Sequence, residues 1–154
     1  MSKTNTFEQD LLLLIFNNDA ISLIGDASGL QPSAADGNLY ISFHTSDPGE
    51  SGDQTTNEIT TGEYGQYARL SVARTTGGFT VADEGGGVWK SKLTSAIAGT
   101  IMSTGSGATI THWGCGASSS GTGKLMYKGS ISPTIAMANG VTPQLGTGTY
   151  IQED

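Results

Sequence analysis

The sequence predicts a mainly β protein with one N-terminal helix, and three observations lead to this fold class. Glycine occupies 23 of 154 positions, and only 14% of the residues are charged, which excludes the charge-rich disordered class. Short segments of alternating apolar and polar residues follow one another between Gly-rich joints, as in antiparallel β proteins. One segment near the N-terminus has helical periodicity instead. We therefore expect an antiparallel β-sandwich of jelly-roll type preceded by a helix.

The helix is predicted over residues 7–24, FEQDLLLLIFNNDAISLI. Thr6 is a candidate N-cap, and Gly25 is suited to end the segment. Apolar side chains recur on one face at helical spacing, and further apolar side chains lie off that face. Such a helix needs more than one partner, either another subunit or another part of the same domain. The candidate contacts with another subunit are Phe7, Leu11, Leu12, Leu13 and Phe16.

The first strand is predicted after a loop at residues 26–38, and it begins the sandwich. Leu39, Ile41 and Phe43 point to one side of this strand, whereas Tyr40, Ser42 and His44 point to the other. Residues 46–65 form a long polar segment after it.

Several short strand candidates follow the polar segment and complete the predicted sandwich. They lie at residues 67–74, 77–82, 108–117, 124–132 and 148–152. Residues 87–103 are ambiguous, because only their first part alternates. No repeat and no linker divides the chain, so one domain is expected over residues 1–154, with the sandwich at 38–152.

The stretch HTSDPG at residues 44–49 contains the residue types of a hydrolase. His44, Ser46 and Asp47 are neighbours here, but a working triad is normally assembled from distant parts of a fold. A turn explains the stretch better, since Pro48 fixes φ and Gly49 supplies the positive φ of a type II turn. The sequence therefore favours a turn, and no enzymatic activity is expected.

Metal ligands are sparse in the sequence. His44 and His112 lack a third ligand at metal spacing, and Asp47, Glu50 and Asp53 do not match a calcium loop. No metal site is expected, although a weak cation site in residues 46–63 stays open.

Two Gly-rich stretches, residues 105–116 and 116–124, resemble phosphate loops. In the second, Leu125 follows Lys124 where a Ser or Thr would reach Mg²⁺, and a strand follows where a phosphate loop would open a helix. Hairpin turns explain both stretches better, so no cofactor is expected. Cys115 is the single cysteine, and it is expected to be a packed thiol.

Charge is unevenly distributed along the chain. The net charge is −7, and residues 1–63 hold ten of the fourteen acidic residues with one base, Lys3. This balance argues against general affinity for nucleic acid. Two readings stay open for the acidic side: a surface that meets a basic partner through Asp47, Glu50 and Asp53, or a solvated loop. The apolar run at residues 11–16 is too short to span a bilayer, so no membrane is expected as a partner.

The most distinctive stretches form a series of motifs that covers nearly the whole chain. FEQDLLLLIFN lies at residues 7–17, and the most specific motif, NLYISFHTSDPGESGDQTTNE, lies at residues 38–58. Shorter motifs are YARLSVAR at 67–74, GGFTV at 77–81, ATITHWGCG at 108–116, SSGTGKL at 119–125 and NGVTP at 139–143. In these motifs the chain resembles a family of small virion proteins of tailed bacteriophages. It departs from the family pattern at residues 84–103.

The resemblance implies a structural protein of the virion. Some relatives are labelled tail fibre proteins, and others look like capsid cement or decoration proteins, which bind the outside of the head as jelly-roll oligomers. A fibre shaft usually needs long repeats or a trimeric coiled coil, and neither is present. A capsid cement protein on the outer surface of the head is therefore expected, with a tail fibre or receptor-binding component as the alternative. The implied partners are the major capsid protein and further copies of the chain, as a dimer or trimer.

Overall fold

The N-terminal helix is shorter than the sequence predicts. The computed structural model describes residues 2–153, and its helix α1 spans Asn5–Leu12 with Thr4 as the N-cap residue. A π-helical turn, Leu13–Asn17, continues it. The prediction of a helix over residues 7–24 with Thr6 as N-cap is therefore wrong at both ends.

Two asparagines end the helix through contacts with distant parts of the chain. Asn18 adopts a left-handed conformation with a φ of 59°, which asparagine tolerates better than most residues. Its side-chain amide donates to the carbonyl of Ser33 at 3.0 Å. The Asn17 amide donates to the carbonyl of Phe79, also at 3.0 Å. These bonds turn the chain away from the helix axis before residues 19–24.

The remainder of the chain is built from short antiparallel strands. The strands within residues 2–153 are β1 Asn38–His44, β2 Leu70–Ala73, β3 Phe79–Asp83, β4 Trp89–Leu93, β5 Ile97–Ala98, β6 Ala108–Gly116, β7 Leu125–Met137, β8 Gln144–Leu145 and β9 Tyr150–Gln152. They form sheets of the order β2-β1-β6-β7, β3-β4-β9 and β5-β8. The mainly β class with antiparallel sheets and an N-terminal helix is thus confirmed, while the jelly-roll arrangement stays a prediction. None of the helices in this part of the chain is long and apolar enough to cross a membrane.

The chain divides into two compact units, and each is assembled from separate stretches of sequence. Unit 1 comprises Met1–Asn38, Val72–Ala96 and Gly146–Asp154. Unit 2 comprises Leu39–Ser71 and Ile97–Leu145. The single domain over residues 1–154 stays a prediction.

In unit 1 the helix covers one face of the β3-β4-β9 sheet. Helix α1 packs on β4 and β3, and the π-helical turn packs on β3. The core between them is formed by Leu12, Phe16, Phe79, Leu93 and Ile151, all of which are buried. The ring centroids of Phe16 and Phe79 lie 4.9 Å apart. The last helical turn is therefore part of the hydrophobic core of this unit.

In unit 2, strand β1 is buried on both faces. β1 pairs with β6 so that Phe43 lies opposite Trp113 and His44 lies opposite His112. The apolar side chains Ile41 and Phe43 are buried as the alternation predicts, and so are Ser42 and His44 on the polar side. The polar face of β1 must therefore be covered by another part of the chain, which is the segment after β1.

Candidate functional site

The segment at residues 45–58 folds back onto β1 and carries the polar residues of the most specific motif. The Thr45 amide donates to the Asn57 carbonyl at 2.9 Å, and the Ile59 amide donates to the Phe43 carbonyl at 2.9 Å. His44 and Glu58 form an antiparallel bridge. These bonds close residues 45–57 into a loop whose base is fixed on the sheet.

The buried side chain of His44 holds this loop on β1 through hydrogen bonds. Its Nδ1 lies 2.8 Å from the Thr56 carbonyl oxygen, and its Nε2 lies 2.8 Å from the Ser42 hydroxyl. Because a carbonyl can only accept, Nδ1 carries the proton and Nε2 accepts from Ser42. Burial lowers the pKa of His44 below its ordinary value, while the Thr56 carbonyl acts in the opposite direction. The imidazole is therefore a neutral structural group at neutral pH.

The hydrolase hypothesis does not match these contacts. Both ring nitrogens of His44 are occupied by Ser42 and Thr56, rather than by the Ser46 and Asp47 that a catalytic set would need. Asp47 instead accepts from the Gly49 amide at 2.8 Å, and Gly49 has a φ of 76°. The predicted turn with a positive φ at Gly49 is confirmed.

Gln54 lies fully buried between two glycines of the β6–β7 hairpin. Its backbone amide donates to the Gly123 carbonyl at 3.0 Å, and its Oε1 accepts from the Ser118 amide at 2.9 Å. A Cβ atom on either Gly116 or Gly123 would overlap the Gln54 side chain. The Gly-rich stretch at residues 116–124 is thus a hairpin connection, as predicted, and two of its glycines make room for a buried glutamine.

Arg69 and Glu58 form an ion pair beside Gln54. The guanidinium donates from Nε to Glu58 Oε1 at 2.7 Å and from Nη2 to Oε2 at 2.8 Å, a bidentate geometry. Only 2% of the Arg69 side chain and 13% of the Glu58 side chain is exposed. The hydrogen bond to Glu58 raises the pKa of Arg69 further, although burial opposes this shift. Arg69 therefore stays charged inside the unit.

Further hydrogen bonds connect this ion pair to the β6–β7 hairpin and to β1. Arg69 Nη1 donates to the Ser118 carbonyl at 2.9 Å, and Nη2 donates to the Gly121 carbonyl at 2.8 Å. The Tyr67 hydroxyl donates to Glu58 Oε1 at 2.6 Å and accepts from the Phe43 amide at 3.2 Å. Burial, and then the Glu58 bond, raise the pKa of Tyr67. The motif residues therefore hold three segments of unit 2 in one arrangement.

Alternation and motif spacing do not predict this network. Gln54, Glu58, Tyr67 and Arg69 were not among the predicted site residues, although each belongs to a quoted motif. One available signal was Arg69, a charged residue on a strand segment of a chain with few bases. Alternation places Arg69 only on the face opposite Leu70 and Val72, and it does not show that Arg69 is buried.

The three carboxylates predicted to contact a partner have different surroundings. Asp47 and Glu50 both lie 3.0 Å from Lys128 Nζ, and the Glu50 side chain is 93% exposed. The Gly49 amide and then Lys128 lower the pKa of Asp47. Asp53 accepts from the Thr55 amide and hydroxyl, and these bonds lower its pKa. Asp47 and Glu50 are thus presented outward, while Asp53 holds its own turn.

The five apolar residues predicted as subunit contacts also separate into two groups. Leu12 and Phe16 are completely buried within unit 1, so they belong to its core and have no surface left for a partner. Phe7 is exposed, and Leu11 and Leu13 are partly exposed. A contact through Phe7, Leu11 and Leu13 stays a prediction.

The remaining candidate groups have ordinary structural surroundings. Cys115 is buried, as expected for a packed thiol, and burial raises its pKa to about 12. Among residues 2–153, no three His, Cys, Asp or Glu side chains are grouped so that they could hold a metal ion.

Comparison with known proteins identifies the family of the chain. The family model described as podophage GP4 fiber I protein gp80 matches residues 4–151, which is nearly the full length. No curated protein matches the chain. The match includes every motif that forms the buried network of unit 2 and the helix of unit 1. The chain therefore belongs to this family of phage structural proteins.

Proposed function

We propose that the chain is a capsid cement protein. In this proposal it binds the outer surface of the phage head as a homo-oligomer, contacts the major capsid protein and stabilises the shell without performing a reaction. The observation that carries the proposal is the length and spacing of the helices and strands of the chain. The helical run Asn5–Asn17 is shorter than two heptads, and the strands range from two to 13 residues with irregular spacing between them. A fibre shaft is usually built from sustained heptads or from repeats.

The buried network supports a binding role for the surface that it positions. The Glu58–Arg69 pair and Gln54 fix residues 45–58 and the β6–β7 hairpin without help from a partner. A surface that is already ordered loses less conformational entropy on binding. Contacts that are individually weak then add up across an oligomer bound to a regular shell. Asp47 and Glu50, together with Phe7, Leu11 and Leu13, are the side chains we assign to such contacts.

The experiment compares phage heads with and without the protein. A ligand that binds the assembled shell and not its dissociated subunits stabilises the shell by mass action. We expect heads that lack the protein to release DNA at a lower temperature, and purified protein added back should restore the original temperature. Release can be followed with a DNA-binding dye during heating. An unrelated protein of similar size and net charge, added back at the same concentration, should leave the lower temperature unchanged.

Heads that resist heat equally well with and without the protein would contradict the cement proposal. The second candidate, a fibre component of the tail, would then replace it. The observation that favours this second candidate is the description of the matching family, which names a fiber protein. In that case the protein should be found on the tail, and its loss should reduce adsorption to host cells.

A further inference from the structure

A short loop of unit 1 at residues 21–30 is held by hydrogen bonds at its base and within it. The Ile21 amide donates to the Leu30 carbonyl at 3.0 Å, and the Leu30 amide donates to the Ile21 carbonyl at 2.8 Å. Asp26 Oδ1 accepts from the amides of Ser28 at 2.7 Å and Gly29 at 3.1 Å. A Cβ atom on Gly29 would overlap the Ile21 carbonyl. The loop is therefore closed at its base and fixed internally.

Leu23 lies on this loop in a conformation that leucine disfavours. Its φ is 64°, in the left-handed region where glycine or asparagine would be less strained. Its side chain is 80% exposed, so burial within the chain does not compensate for the strain. Both the backbone and the solvent therefore disfavour a leucine here. A strained residue of this kind points to a role outside its own chain.

Two other exposed apolar side chains lie on the same loop. Ile24 and Leu30 are among the exposed large hydrophobic residues of the chain, together with Leu23. Scattered exposed apolar residues are normal on a protein surface, but here three lie within ten consecutive residues of one closed loop. We call residues 21–30 the apolar loop. Its rigidity suits insertion into a pocket, because little conformational entropy would be lost.

The charges around the apolar loop indicate the kind of partner. Asp19 and Asp26 lie in or beside it, whereas the guanidinium of Arg74, which lies against Ser33 and Asp36, is already bound to the carbonyls of Leu14 and Ile15. A second copy of the chain would offer few cations to these carboxylates, because six of its seven bases are already engaged within the chain. These six are Lys3, Arg69, Arg74, Lys90, Lys92 and Lys128. A different protein with basic residues is the better complement.

We propose that the apolar loop inserts Leu23 into an apolar pocket, rimmed by Lys or Arg, on another protein of the virion. This inference rests on the proposed function, since it assumes that the chain binds the assembled particle. It adds the contact residue and the chemistry of the partner surface. The contact differs from the one assigned to Phe7, Leu11 and Leu13, which lie on the helix.

The test uses purified particles that lack the protein, with binding of added protein measured by co-sedimentation. The L23N variant should unfold at the same temperature as the wild type or at a higher one, because asparagine relieves the left-handed strain. It should bind the particles at least about tenfold more weakly, since the apolar anchor is removed. The matched control is I101N, which changes another exposed apolar residue, 55% exposed, outside the loop. I101N should bind like the wild type.

A second variant tests the basic rim. D19K reverses a charge beside the apolar loop, and it should weaken binding to the same particles by several fold. If D19K binds the particles as tightly as the wild type or more tightly, the proposal that the partner surface is basic is overturned. If L23N binds like the wild type, or if it unfolds several degrees lower, the inference is overturned and the cement proposal is unaffected. If wild-type protein does not bind the particles at all, both proposals are overturned.

Discussion

The R69M variant should lose about 3–5 kcal/mol of its free energy of unfolding, the range for breaking a buried ion pair from one side. Methionine preserves much of the volume of the side chain but removes all of its donors. Glu58 would then lose its bidentate partner in a site with 13% side-chain exposure. The carbonyls of Ser118 and Gly121 would also lose the donors that they share with Arg69. Urea unfolding followed by tryptophan fluorescence measures the loss.

Two further variants distinguish the loss of stability caused by leaving one charge unpaired from the net contribution of the ion pair to the free energy of unfolding. The double variant R69M/E58L should recover part of the loss, because an apolar pair can replace a buried ion pair at little net cost. K128M removes the partly exposed partner of Asp47 and Glu50, and it should cost no more than about 1 kcal/mol. A loss in R69M as small as that in K128M would contradict the role assigned to the buried pair.

The F16A variant should lose about 3–5 kcal/mol, as expected when a fully buried phenylalanine is truncated in a packed core. Phe16 is completely buried, and its ring centroid lies 4.9 Å from that of Phe79. The Asn17 amide holds the backbone of Phe79 in place, so the cavity has little freedom to collapse. The matched control is F7A, at an exposed position of the same helical segment, which should change stability by no more than about 1 kcal/mol. Thermal unfolding compares the two.

This result also decides how the role of the helix can be tested. A deletion of residues 1–16 would remove core residues of unit 1, so its failure to assemble would say nothing about contacts between subunits. The F7E variant leaves Leu12 and Phe16 in place, and it therefore tests a contact at the surface of the helix. If F16A were as stable as F7A, the assignment of the helix end to the core would be wrong.

The sequence predicted those features that depend on local patterns. Alternation located β1, since the predicted residues 39–44 nearly coincide with Asn38–His44. Turn chemistry at Pro48 and Gly49 gave the positive φ correctly. The end of the helix was not predictable from the same patterns. Residues 19–24 continue the apolar pattern, but Asn17 and Asn18 bond to Phe79 and Ser33, which are remote in sequence.

The buried network could not be predicted from the sequence, for a related reason. Alternation shows that Ser42 and His44 share one face, but it does not show what covers that face. The glycines at residues 116 and 123 belong to a stretch whose sequence resembles a phosphate loop. Their spacing alone does not show that the Gln54 side chain occupies the space where their Cβ atoms would lie. Likewise, nothing in the composition of residues 21–30 signals the positive φ at Leu23.

The number of copies of the chain per virion tests the central claim most directly. Quantitative mass spectrometry of purified particles, with the major capsid protein as the internal reference, measures this number. A cement protein that gains its strength from repeated contacts over the shell should be present on the order of hundreds of copies per particle. Labelled antibody should then decorate the head evenly. A copy number that matches the few fibres of a single tail, with the label on the tail, would contradict the cement proposal.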